Sequence, residues 1–318
     1  MSRVSTDTSS AQVGVIQFHA LLNTPHLPWG EKLCVLDVDS GYSNKNFLEP
    51  LQTHKSLVTI ARCRSNRVFY QRPVPSDAPP KRGHPVWHGE RFALKDEATW
   101  HEPDVLIHTT ETTQKGRGLN VTIQAWHNML MRGNKPHPMH KHSFTLLRIE
   151  RVDEAGKTVG SPMWLIVIGE QRHQLSPSQA YQAYRQRFEL EHTFRFQKRN
   201  LLLDAFQTPE SEHEQQWIHL VMLAYVQLWN AHRLAQAMPR PWERALKTEP
   251  TARISPSNVQ RDWNRIISQL GSPATAAKPR GKSPGRQSGQ TQTPRTRLPV
   301  IQKAQGQNTH DTHEKKVV

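Results

Sequence analysis

The sixteen residues AYRQRFELEHTFRFQK, at 183–198, decide how this chain is read. Wound as a helix, they place Tyr184, Arg187, Glu191 and Lys198 within an arc roughly 60° wide over about four turns, since each residue advances the helix by about 100°. A core-facing stripe is apolar, and a plain solvent face needs no tyrosine. Arginine and lysine suit phosphate oxygens, and a carboxylate suits a divalent cation. The face therefore reads as one that meets a polyphosphate and a metal ion together. The competing reading is a surface helix laced by i,i+4 pairs, Arg187 with Glu191 and Glu191 with Arg195, each contributing about 0.3 kcal/mol and doing nothing else. The charge of the whole chain and a second acidic motif upstream weigh against that reading.

The helix has a clear start. Ser176 can cap it, Pro177 suits its first position and Gln179 completes a capping box. The pattern predicts that it runs to about Phe206. A second long helix is predicted over 212–237, with Trp217, Leu220, Leu223, Leu228 and Leu234 as its apolar stripe and Pro239 and Pro241 ending it.

Upstream, residues 10–22 read as an amphipathic helix with Val13, Ile16 and Leu21 near one face. Leu33–Val38 (LCVLDV) is a short continuous apolar run and predicts a buried strand, ending where the chain turns at Asp39-Ser40-Gly41-Tyr42. Residues 44–53 can form a helix, and 56–61 (SLVTIA) a second strand. Helix, strand, helix, strand is the grammar of an α/β sheet. From 62 to 118 the periodicity is lost, with prolines clustered beside Lys81, Arg82 and Gly83. Strand-like runs return at 119–126, 143–150 and 162–169, the last two joined by a turn at 153–157 as a hairpin.

The chain has 318 residues, with 42 Lys+Arg against 27 Asp+Glu, a formal charge of +15. Such an excess favours a polyanionic partner, because releasing condensed counterions from nucleic acid drives binding. Only 35% of residues are hydrophobic, which is thin for one well-buried core and points to a solvated segment. That segment is 271–318, where nine Lys/Arg face Asp311 and Glu314 in a Pro-, Gly-, Ser- and Gln-rich background. It is expected to be a disordered basic tail that either touches nucleic acid non-specifically or only solubilises. Two cysteines, Cys34 and Cys63, exclude a disulfide scaffold and a multi-cysteine zinc ribbon, and fit a reducing compartment. The N-terminus lacks an apolar signal core, and the longest apolar run, Met163–Ile168, is far too short to span a bilayer.

Asp39 stands where a buried strand meets a loop, and chemistry collects at the C-terminal ends of strands in α/β sheets. One carboxylate there and one from a long helix can hold a Mg2+ ion, and three can hold two metals that clamp the attacking and leaving oxygens of a phosphodiester. Capping the following turn is the plainer role for such an aspartate.

The strand VLDVDSGYSNKNFL followed far downstream by AYRQRFELEHTFRFQK resembles the C-terminal two-thirds of a DDE-type cut-and-paste insertion-sequence transposase. The Y-x2-R-x3-E-x6-K spacing is met at every position; the aspartate motif is weaker. The resemblance covers about 10–300 and implies a ribonuclease-H-like core with a β insertion before the glutamate helix. On that pattern 1–61 is part of the core with the second Asp, 62–175 the β-rich insertion, 176–240 the catalytic-Glu helix with the next helix, and 241–318 a linker and basic tail. It implies that Asp39 and Glu191 are catalytic metal ligands for Mg2+ or Mn2+. It also implies that Tyr184, Arg187 and Lys198 lie on DNA phosphates, in a protein that cleaves and joins phosphodiesters of transposon ends and target DNA. A full-length copy as homo-oligomeric partner, no membrane, and a cytoplasmic, nucleoid-associated site of action follow from the same resemblance.

The pattern is incomplete. The first family aspartate belongs on the first strand of a three-strand meander, yet only Asp7 precedes Asp37, and the helix at 10–22 leaves no room for three strands. The expected consequences are unpaired sheet edges, two carboxylates in place of three, and a chain that alone neither cleaves nor joins DNA: an internal-start product or a decayed copy, acting if at all as a DNA-binding or inhibitory fragment.

Other constellations compete. Leu36-Asp37-Val38-Asp39-Ser40-Gly41 also resembles the D-x-D loop of haloacid-dehalogenase-type phosphatases, with Asp37 as nucleophile and Asp39 as acid/base; no matching downstream acidic loop exists. His137, His140 and His142 form H-x2-H-x-H, readable as a zinc or copper site or as a polar loop. Lys81 and Arg82, with Trp87 and Trp100 nearby, could grip a DNA end, with an indole stacked on a displaced base; the tryptophans equally fit a small β core.

Overall fold

The computed structural model describes residues 7–30, 32–74, 85–113, 116–206, 208, 210–234, 254–270 and 288, 289 and 291. The chain divides into two compact units, one spanning Asp7–His192 and the other containing Thr193 onward. Lys81, Arg82, the tail expected at 271–318 (apart from 288, 289 and 291) and the end of the helix predicted to reach 237 lie outside the described residues.

The first unit is built on a six-stranded mixed sheet in the order β1-β2-β8-β7-β6-β5. Its strands are β1 (Cys34–Val38), β2 (Leu57–Cys63), β5 (Val105–Thr112), β6 (Gly118–Met129), β7 (Phe144–Asp153) and β8 (Met163–Ile168). A separate ribbon pairs β3 (Val68–Tyr70) with β4 (Arg91–Ala93). β1 and β2 run parallel, Leu36 opposite Thr59; β2 and every later neighbour run antiparallel. The β7–β8 hairpin forms as its pattern predicts, its turn closed by the Asp153 N–H donating to Lys157 O at 2.9 Å.

Both faces of the sheet are covered, which is why the central strands read as unbroken apolar runs. Along β8, Trp164, Ile166 and Ile168 join the core under helices α1 (Ser10–Leu22) and α2 (Lys45–Leu48), with Phe47, Leu48 and Leu51. Leu165 and Val167 face the other way and pack with Ala180, Tyr181 and Tyr184 of helix α3 (Pro177–Asn200). α3 has no apolar stripe along its length; it docks through one short patch near its start. Phe92, Trp100, Trp126 and Trp164 form an aromatic cluster with centroids 5.1–6.4 Å apart, which ties the β3–β4 ribbon to the main sheet.

Four expectations need correction. β1 is an edge strand and not a buried one: only Val38 is fully buried and Val35 is 38% exposed, because among the described residues β1 pairs with β2 alone. The stretch read as aperiodic holds β5, an edge strand whose inward residues, Val105 and Ile107, alternate with polar or exposed ones. α3 stops at Asn200, before Phe206, because Leu202 turns into the left-handed region at φ +57°. In the second unit, helix α4 (Ser211–Asn230) buries Val221 and Leu228, whereas Leu220 and Leu223, assigned to its stripe, are 59% and 55% exposed. Leu228 packs with Ala231, Val259 and Ile266, the last two from helices α5 (Pro256–Arg261) and α6 (Trp263–Leu270).

Candidate active site

Alternation along the strands decides which side chains share a face. In β1, Leu36 and Val38 face the α1 side, so Asp37 and Asp39 face α3. In β2, Ala61 and Cys63 face α1, so Arg62 faces α3. The sheet thereby presents two acids and a cation to the patch where Tyr184 and Arg187 follow one another on α3.

Asp39 follows β1 directly and caps the 3-10 turn Ser40–Tyr42, its Oδ1 accepting from the Ser40 N–H at 2.7 Å. The plainer role of a turn cap is thus real, and it occupies one carboxylate oxygen. Arg187 is the hub. Its Nη2 donates to Glu191 Oε1 at 2.7 Å, and its guanidinium lies 5.5 Å from the centroid of the Tyr184 ring. Burial opposes its charge, but Tyr184, Asp39 and Glu191 outweigh burial and raise its pKa. Burial likewise raises the Tyr184 phenol, with Asp39 adding to the rise and Arg187 and Arg62 opposing it. Asp39 and Glu191, 152 positions apart in sequence, therefore act on the same guanidinium.

The cluster is under-bonded. Asp37 Oδ1, the Tyr184 hydroxyl and Arg187 Nε are buried with no hydrogen-bond partner of normal geometry. Burial pushes the Asp37 carboxyl from 3.8 to about 6, with Arg187 pulling it back. The sequence points to Asp37 only as the nucleophile of the phosphatase-like alternative and does not single out Arg62. The signal for Arg62 was a lone cation inside the apolar run LVTIARC; Asp37 lies at i−2 from Asp39, hence on its face.

Lys198 is in the last turn of α3, exposed, in the second unit. Trp100 is core: its indole N–H donates to Ala93 O at 2.7 Å. Trp126 is core too, donating to His101 O. Trp87 stacks on His140, centroids 3.9 Å apart. His137 meets Glu49 at 3.1 Å, and burial lowers His142 while the same Glu49 opposes that shift; among the described residues no group of three metal-ligating side chains forms there.

Carboxylate oxygens are hard donors that a divalent cation accepts. Yet among the described residues no group of three His, Cys, Asp or Glu side chains is placed to hold a metal ion, and Glu191 is already paired with Arg187, whose charge Asp39 also favours. The residues present fit an ion-pair network closed by Arg187, not a three-carboxylate metal centre.

A strand-end acid, a helix-borne acid and a cation hub thus share one face of the sheet. The chain matches the family model described as transposase DDE domain over residues 5–227, and it belongs to that family. Membership makes it a DDE-type insertion-sequence transposase, with transposition-related activity at the level of the family, whose members act on DNA and use divalent metal ions. No curated protein matches the chain. Among the described residues no helix is long and apolar enough to cross a membrane.

Proposed function

We propose that this chain binds DNA through the α3 face of its sheet, as the phosphate-gripping part of a metal-dependent strand-cleaving and strand-joining site. The observation that carries the reading is Arg187, hydrogen-bonded to Glu191 and stacked against Tyr184, on the face that Asp39 shares. In this reading the β1–β2 parallel pair and α3 belong to a ribonuclease-H-like core, Lys198 extends the phosphate contacts along α3, and the family's cation is Mg2+ or Mn2+. Arg187 has two possible partners. In the free protein it pairs with Glu191. A phosphodiester competes for it, since a guanidinium donates two parallel hydrogen bonds to phosphate as readily as to carboxylate. DNA binding would then uncover Asp39 and Glu191.

Asp37, Asp39 and Glu191 all lie near Arg187, but among the described residues no three acidic, histidine or cysteine side chains are gathered to hold a metal ion, and the chain by itself is read as binding without cutting. The test pairs two measurements on the purified chain: affinity for duplex DNA from 50 to 200 mM salt, and nicking of supercoiled plasmid in Mg2+ or Mn2+. The expected result is affinity that falls steeply with salt and no nicking. Metal-dependent nicking abolished in Glu191→Gln would overturn the non-cutting reading, and salt-insensitive or absent DNA binding would overturn the DNA reading itself.

A further inference from the structure

We infer that a second phosphate-binding subsite, formed by Arg72, Arg172 and Ser143, lies at the end of the sheet opposite Asp39 and holds a backbone phosphate of the bound DNA strand. The inference rests on the DNA reading above and extends it to residues outside the α3 motif.

The location follows from strand direction. β8 ends at Ile168, opposite Thr59 near the start of β2, and the start of β2 lies beside the start of β1. Arg172 follows β8 in the 3-10 turn Arg172–Gln174. Ser143 immediately precedes β7, and Phe144 pairs with Ile168. Asn128, at φ +55°, sits in the bulge that interrupts the β6–β7 register between Trp126 and Met129. Arg72 comes from the chain just after β3. Four segments distant in sequence converge here.

The chemistry is in the donor count. Arg72 Nη2 donates to Ser143 Oγ at 3.0 Å, and Arg172 Nη2 donates to the same oxygen at 2.9 Å. A hydroxyl has two lone pairs and one hydrogen. With both lone pairs taken by guanidinium groups, Ser143 can only donate, and among the described residues nothing accepts from it. Arg172 is held in place by two further acceptors, Asn128 Oδ1 and Gly169 O, each at 3.2 Å. Arg72 makes no other hydrogen bond among the described residues, and neither arginine has a carboxylate partner there. Burial and the neighbouring Arg72 both lower the pKa of Arg172, as expected where two cations crowd together without a counter-charge.

Two positive charges with no carboxylate beside them among the described residues, and a hydroxyl left to donate, match a phosphate with its several acceptor oxygens and its charge. Of the three residues only Arg172 lines a cavity of about 460 Å3, with Asn128, His127 and His173 in its wall and Ser176 and Pro177 at the start of α3, so an anion would approach from the Arg172 side. The positive end of that 24-residue helix therefore also favours an anion there. From Pro177 to Arg187 the helix rises about 15 Å, which spans roughly four to five nucleotides of one strand at 3.4 Å each. One strand lying along α3 could meet both cation sites.

The experiment uses the full chain, a fluorescein-labelled 30-base-pair duplex of mixed sequence, and inorganic phosphate as a separate ligand. Arg72→Gln is the main variant, because its side chain meets only Ser143; Ser143→Ala is the second, and removes the hydroxyl while leaving both cations. Arg72→Gln is expected to weaken duplex binding about five- to tenfold at low salt and to reduce the slope of log affinity against log salt by about one. Ser143→Ala should weaken binding by a smaller factor with the slope unchanged. Lys135→Gln, an exposed cation elsewhere, should leave both quantities within about twofold of wild type. Wild-type slope and affinity in Arg72→Gln, with wild-type DNA binding intact, would overturn the subsite but not the DNA reading. Thermal protection by millimolar phosphate that Arg72→Gln abolishes, without any change in duplex binding, would assign the site to a small free anion and also overturn the proposal. If the wild type fails to bind duplex at all, both readings fall.

Discussion

Replacing Asp37 with asparagine should stabilise this protein near neutral pH and remove one component of its pH dependence. Asp37 lies on β1 opposite Ile60, on the face shared with Arg62 and α3. One carboxylate oxygen is buried without a partner, and burial carries the group from 3.8 to about 6. The folded state thus holds a proton that the unfolded chain has already released between those two values. Stability is therefore greatest below pH 3.8 as far as this group is concerned, falls as pH rises toward 6, and is level above it. Full conversion of that rise gives about 3 kcal/mol. The group is partly open to solvent, and screening reduces the figure to about 1–1.5 kcal/mol. Asp37→Asn keeps the shape and cannot ionise. Its stability should equal that of the wild type near pH 4 and exceed it by about 1–1.5 kcal/mol at pH 7, read as urea midpoints by circular dichroism at half-unit pH steps. Parallel curves for the two proteins from pH 4 to 7 would refute the reasoning. A less stable variant at pH 7 would show that Arg187 compensates the charge fully.

Three further outcomes follow from the same structure. Trp126→Ala removes the centre of the aromatic cluster, 1% exposed, and should cost about 3–5 kcal/mol in denaturant unfolding. Gly169→Ala puts a Cβ 2.4 Å from Leu57 O at φ +151°; a loss above about 2 kcal/mol is expected, and a neutral variant would mean that β2 and the end of β8 are less closely apposed than described. Under native conditions a thiol reagent should modify Cys34 alone, since Cys63 is fully buried and pushed up to about 12 by that burial; two equally fast thiols would contradict the α1-side core.

The sequence carried much of this site and less of the surrounding fold. The spacing of Tyr184, Arg187 and Glu191 was readable because helical geometry converts spacing directly into a shared face, and Asp39 was readable because an apolar run stops there. Tyr184 serves two ends, packing in the core and offering a ring face to the Arg187 guanidinium; a periodicity argument sees one face at a time. β6, β7 and β8 announced themselves through apolar runs that cover both sheet faces. β5 did not, because an edge strand needs only two inward residues and spends the others on solvent. β1 misled for the opposite reason: its hydrophobicity suits a central strand, yet it borders the sheet among the described residues. The α4 stripe is right at Leu228, which packs with α5 and α6, and wrong at Leu220 and Leu223, which are exposed. Nothing in local sequence reveals that Arg72, Asn128, Ser143 and Arg172 meet, since only the antiparallel folding of four segments brings them to one place.

The parallel pairing of Leu36 with Thr59 makes the whole arrangement sensitive to parity. Deleting a single residue from β1 would keep its hydrogen-bonding ladder available but send Asp37 and Asp39 together to the α1 side, away from Arg187. Removing two residues would return the original phase, with the acids displaced lengthwise by about 7 Å. Frame-preserving deletions in this short segment should accordingly alternate between blinding the cluster and merely shifting its aim.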